Sequence, residues 1–354
     1  MNQSIIHFKG INGLRAFAAI VVVISHIQLW FNLSENISQL AGFGVTIFFS
    51  ISGFLITYLL IKEKDNSQIK IKHFYIRRIF RIWPLYYAYL ILAVLVSLIY
   101  FSNSIQFNVF FYFFMLANIP SILNYSIPLL SHYWSLAIEE QFYIFWPYII
   151  SKSKNLIKSI NLFILIFILI KLFFWILYKK WGYATLYIFI SAARFDCMAI
   201  GALGACFYYH KIAFKFIFNR IVQIISWLIF TLLLINRFHI VSFFDHEIVA
   251  IVTIILIFNV SSNTKTIINL DNIIFDYLGK ISYSIYVIHP LLILLILKII
   301  PRFKNSTIYI LSVYFSVFAL TLIIASLSYR YFEKPFILLK KNYTTVYSAL
   351  SKIE

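Results

Sequence analysis

The stretch GLRAFAAIVVVISHIQLW holds two ionisable residues in an otherwise apolar run, Arg15 and, eleven residues later, His26. Charged or titratable groups inside hydrocarbon cost several kcal/mol unless they are paired or face a polar space, so they mark candidate functional positions. Histidine titrates near neutral pH and suits proton transfer, while arginine suits phosphate. On a helix, eleven residues turn about 20° past three full turns and rise about 16 Å, so Arg15 and His26 share one face, roughly a pantetheine arm apart.

Further candidates follow along the chain. In IKHFYIRRIFRIWPLYY the guanidiniums of Arg77, Arg78 and Arg81 precede an apolar run. Arg78 and Arg81, three apart, fall on one side of a helix and suit bidentate phosphate recognition, while membrane-side anchoring is the competing account of all three. In HYWSLAIEEQFYIFWP the acids Glu139 and Glu140 open another run. Glu139 is expected at the depth of His26, where a carboxylate can orient an imidazole and stabilise its charged form. A helix N-terminus attracting acids through its dipole accounts equally for one of the pair. Arg194 and Asp196 in ARFDCMAIGALGA and His289 in ISYSIYVIHPLL fall near mid-membrane, giving a third polar layer along a substrate path or a structural salt bridge of Arg194 with an acid. Lys171 stands without evident partners and is read as structural; Glu333 falls past the last span, where Pro335 is expected to stop the helix. No metal ligand set is expected.

The elements that must position these residues are membrane helices. The 354 residues are 62% hydrophobic and 12% charged, with a mean hydropathy of +0.89, outside the range of a soluble domain. Ten runs of spanning length can be drawn, at 11–33, 41–61, 82–101, 135–151, 160–178, 185–208, 221–236, 246–261, 280–299 and 306–330. The short apolar segment 107–120, ending at Pro120, is expected to be re-entrant or interfacial within an outer loop. Ten spans with a cytoplasmic N-terminus place 22 of the 30 Lys and Arg in inner segments and 6 outside, with Lys171 and Arg194 in the membrane. The expected fold is therefore an all-α, polytopic membrane domain with both termini cytoplasmic, spanning 1–335 with a short tail at 336–354. The net charge of +18 is spread between apolar runs rather than gathered on one face, which argues against nucleic acid as a partner. Cys197 and Cys206, nine apart on one helix, are about 13 Å apart and half a turn out of phase, so they cannot pair. The first run is too long for a signal-peptide core and is followed by WFNLSENI without a small-x-small site, reading as an uncleaved anchor.

In order and spacing, these motifs resemble the acyltransferase-3 family of bacterial membrane O-acyltransferases. INGLRAFAAIVVVISH resembles the family's basic-x10-His first helix and GVTIFFSISGFLIT its second; RRIFRIWPLYY holds the Arg-x-x-Arg element. WSLAIEEQFYIFWP, YSIYVIHP and YRYFEKPF match toward the C-terminus, and Thr46 departs from the acid many members carry after Gly-Val. The resemblance implies a multi-pass protein of a bacterial cytoplasmic membrane, in a stand-alone form without an appended esterase-like domain. It also implies a catalytic role for His26, the signature glutamate at Glu139, and Arg15 as the basic partner. Acyl-CoA, expected as acetyl-CoA, would be a co-substrate with phosphates against Arg78, Arg81 and Arg15, and no cofactor would be permanently bound. A surface or periplasmic glycan hydroxyl would accept the acyl group, either directly or through a covalent intermediate. Oligomeric state is left open. A transporter or flippase is the competing class, but the internal repeats it should show are not visible.

Overall fold

A computed structural model describes residues 8–31, 38–234, 243–300 and 307–344. All regular structure among them is helical: α1 (Ile11–Phe31), α2 (Ser38–Asn66), α3 (Ile71–Tyr100), α4 (Val109–Phe113), α5 (Asn118–Ile122), α6 (Tyr133–Lys152), α7 (Leu156–Trp181), α8 (Ala184–Ala193), α9 (Phe195–Tyr209), α10 (Phe214–Ile217), α11 (Arg220–Leu234), α12 (Asp245–Ser262), α13 (Ile273–Lys280), α14 (Ser282–Ile299), α15 (Thr307–Leu327) and α16 (Lys334–Leu339). Eight spans among the described residues are long and apolar enough to cross a membrane, α8 and α9 forming one of them. The other two expected spans are α6, with 20 residues, and α11, whose description stops at Leu234. Residues 107–120 fold as α4 and α5, five residues each and far too short to span. Arg237, Arg302, Lys304 and Lys352, used in the charge count, lie outside the described residues.

At the centre stands α2, packed most extensively on α1 and α9. Without a hydrophobic drive between helices in lipid, such contact depends on close backbone approach. A Cβ on Gly53 would lie 1.9 Å from the Met198 carbonyl oxygen, and one on Gly201 would lie 2.2 Å from that of Ser50. Glycine is therefore what lets α2 and α9 touch.

Three boundaries differ from expectation. The third span begins at Ile71, so the arginine-rich segment forms the first turns of α3. The fourth begins at Tyr133, which places Glu139 and Glu140 in its second turn, about 9 Å in, and leaves no acid in the first turn for the dipole to hold. Pro335 does not end the last helix: residues Ser328–Glu333 make a π-helical turn, and Pro335 occupies the start of α16, where a missing N–H costs no helical bond. The chain then continues through Lys340–Tyr343 against α3, so the segment from 336 is docked at its start, while 345–354 lie outside the described residues.

Candidate functional site

Between α1, α2, α3, α6, α13 and α14 lies a cavity of about 190 Å³. Along α2 it runs from Leu59 to Val45, fourteen residues or about 21 Å of helix, so it is long and narrow. Its basic end carries Arg15, Arg78, Arg81, Lys280 and Lys340, with Glu139 and Asp276 among them; Phe48, Phe49, Leu55 and Ile56 of α2 form an apolar flank; Ser135 and Tyr286 close the far end.

The helices divide the three arginines of α3 between two tasks. Arg77 is buried, with Nη2 2.5 Å from Glu63 Oε1 of α2 and Nη1 donating to the Tyr343 carbonyl at 2.9 Å, so it ties helix ends together. Arg78 and Arg81, one turn apart, face the cavity as their spacing predicts, Arg78 lying 5.4 Å from the Tyr143 ring centre. Among the described residues no carboxylate lies within 4.0 Å of the guanidiniums of Arg15, Arg78 or Arg81. Three guanidiniums that line one end of the cavity, Arg15 buried and Arg78 and Arg81 half-buried, none neutralised by an ion pair among the described residues, suit an anion.

Glu139 Oε1 accepts from Ser52 Oγ at 2.5 Å and from the Tyr143 hydroxyl. It therefore belongs to the basic half of the cavity, and the structure does not bring it to His26 as expected. The cause is the early start of α6, which sinks Glu139 below the level assigned to it. Glu140 points away, toward Trp83, and does not line the cavity.

The partner of His26 is His289. His26 Nδ1 lies 2.6 Å from His289 Nε2, and the ring planes differ by 8°. His132 stands next to them, its ring centre 5.4 Å from that of His289. This histidine group lies just past the closed end of the cavity: Tyr286 bonds Ser135 Oγ at 2.6 Å and donates to the His132 carbonyl at 2.9 Å. His26 itself is half-buried and does not line the cavity wall. No group of three His, Cys, Asp or Glu among the described residues could hold a metal ion.

The expected third layer separates in space. Among the described residues Arg194 forms no ion pair with an acid; Nη1 donates to the Gly42 carbonyl at 2.8 Å and to Thr46 Oγ1 at 3.2 Å, and the guanidinium lies 5.1 Å from the Trp134 ring centre. Thr46 in turn bonds His246 Nδ1 at 2.9 Å. Arg194 adopts φ +45°, a left-handed conformation that splits one span into α8 and α9. Asp196 accepts from its neighbour's N–H, and Lys171, expected to be unsupported, forms a buried ion pair with Glu247 at 2.6 Å. Glu333 is buried and accepts from Ser284 at 2.5 Å and Ser328 at 3.1 Å. Sequence reading missed His132, Ser135, Tyr143 and Tyr286; the signal for the last three was position, one turn from Glu139 or His289 on the same helix, while His132 precedes α6 and carried no such signal.

Comparison with known proteins shows the family to which the chain belongs. The profile described as Acyltransferase domain matches residues 8–330. A Staphylococcus aureus (strain COL) protein with a provisional O-acetyltransferase name is 30% identical over 93% of this chain and 57% of its own length. The peptidoglycan O-acetyltransferase OatA of Listeria monocytogenes is 29% identical over 95% of this chain and 56% of its own, and the O-acetyltransferase OatA of S. aureus (strain NCTC 8325) 29% over 93% and 57%. The chain thus spans about half the length of the curated relatives it matches. No solved structure matches it. With the profile covering nearly the whole helical bundle, cavity and histidine group included, the chain belongs to the acyltransferase-3 family.

Proposed function

We propose that this protein is a membrane O-acetyltransferase that takes an acetyl group from acetyl-CoA and passes it to a hydroxyl of a cell-envelope glycan. The observation that carries the reading is the shape of the cavity. Unpaired arginines gather at one end of a cavity that extends about 21 Å along α2, apolar residues of α2 flank it, and a histidine pair lies just past its far end. Those three parts match the phosphates, the thin pantetheine arm and the reacting thioester of an acyl-CoA. The basic end faces the cytoplasm, consistent with the Lys and Arg bias of its flanking loops.

In the reaction, His26 takes the proton of the acceptor hydroxyl as its oxygen attacks the thioester carbonyl carbon. The carbon–sulfur bond breaks, the ester forms, and the leaving thiolate recovers the proton from His26 as free CoA thiol. Glu139, held by Ser52 and Tyr143, offsets positive charge at the donor end. The Ser135–Tyr286 hydrogen bond stands between the cavity and His26, so the arm has to displace it for the thioester to arrive. The name of the Listeria relative makes peptidoglycan the first acceptor to test.

The test is acetyl transfer from labelled acetyl-CoA to peptidoglycan fragments by the purified protein in proteoliposomes. Transfer of label to glycan that disappears in His26→Gln is expected. Uptake or flipping of a glycan without ester formation would establish the transporter reading instead.

A further inference from the structure

We infer that His289 is a positioning residue that fixes the tautomer of His26, leaving His26 Nε2 as the bare nitrogen that accepts the proton. This role rests on the reading of His26 as the base and adds what holds His26 in its reactive form.

His289 Nδ1 lies 3.1 Å from the Ile285 oxygen. A carbonyl oxygen only accepts, so Nδ1 carries the hydrogen. The turn favours this contact: Pro290 has no N–H, which leaves the Tyr286 carbonyl without its helical donor, and the imidazole N–H lies over these two carbonyls in its place. In a neutral imidazole with Nδ1 protonated, Nε2 is an acceptor. His289 Nε2 faces His26 Nδ1 at 2.6 Å, so His26 Nδ1 must be the donor and His26 Nε2 is left unprotonated.

Ring geometry supports a bond rather than a stack. The centroids are 4.9 Å apart with planes 8° from parallel, as when two imidazoles meet end to end through facing nitrogens in one plane. His289 is fully buried, so no water competes for its Nε2. When His26 accepts a proton at Nε2, the charged ring keeps its Nδ1–H on a neutral acceptor that needs no rearrangement. His289 touches neither cavity nor acceptor and acts only through His26.

Two measurements test this. Nitrogen NMR of ¹⁵N-histidine-labelled protein in bilayers reads the tautomer without any catalysis, the His26 signals being identified by their loss in His26→Gln. Wild type is expected to show His26 protonated at Nδ1; a hydrogen on Nε2 overturns the proposal, even if His26→Gln is inactive and the base assignment stands. In the second measurement, His289→Met, which has no comparable acceptor, should lower kcat about a hundredfold with the donor KM little changed, since a mis-set tautomer disables a base that is otherwise in place. His289→Gln, whose amide oxygen can take the same N–H, should restore part of the rate at matched abundance. Equal kcat in wild type and His289→Met overturns the proposal; inactivity of His26→Gln in the same assay keeps the base reading distinct.

Discussion

At the scale of single residues, the arginines separate anchoring from binding. Arg77 is neutralised by Glu63, whereas Arg78 and Arg81 face the cavity with no such partner. Arg78→Gln with Arg81→Gln should therefore weaken acetyl-CoA binding by tenfold or more while the protein still inserts and folds, read by calorimetry on purified protein. Arg77→Gln should instead lower thermal stability, because it removes the ion pair of a buried Glu63. His26→Gln keeps volume but removes the base, and acetyl transfer should fall by about a hundredfold or more at equal abundance. The sequence made Arg15, His26, Arg78 and Arg81 legible because each is an ionisable group in a run too apolar to hold it idly. It could not show that His26 meets His289, since the two are 263 positions apart and their pairing depends on how α1 and α14 are rotated. The same blindness placed Glu139 beside His26: residue counting took the span to start at Ser135, and a start at Tyr133 with its own rotation turned the carboxylate to Ser52 and Tyr143.

At the scale of elements, spans were legible and their contacts were not. Hydropathy locates apolar runs, yet nothing in it says that α2 and α9 touch backbone to backbone or that Arg194 breaks a span at φ +45°. Gly53→Ala should push these helices apart or force a shift of the Met198 backbone, costing about 1–3 kcal/mol of stability, which a lowered melting temperature in detergent would reveal. Lys171 on α7 and Glu247 on α12 offer a second case. Each is buried, so removing the ammonium leaves a buried carboxylate without its ion pair. Lys171→Met alone should destabilise by about 3–5 kcal/mol, and adding Glu247→Leu should recover much of the loss. If the double variant is no better than the single one, the pair is not what joins α7 to α12.

At the scale of the whole molecule, charge and cavity point the same way. The loop after α2 and the loop before α13 border the cavity's basic end, while α4 and α5 lie at the opposite end of α3. Cytoplasmic loops of membrane proteins carry excess Lys and Arg, and the proposed donor, acetyl-CoA, is made in the cytoplasm, so on that proposal an orientation with the basic end inside serves insertion and donor supply together. Ser67 and Asn103 are both exposed and fall in loops at opposite ends of α3, with no other element between them in the chain. Cysteine placed at each should therefore react on opposite faces of the membrane. The two native cysteines are free but buried, so they leave the background low. In intact cells an impermeant maleimide should label Asn103→Cys and spare Ser67→Cys, and permeabilisation should expose the latter. Labelling of Ser67→Cys from outside would put the arginine-rich end of the cavity on the wrong face for a cytoplasmic donor, and the glycan and the thioester would then have to exchange the ends through which they reach His26.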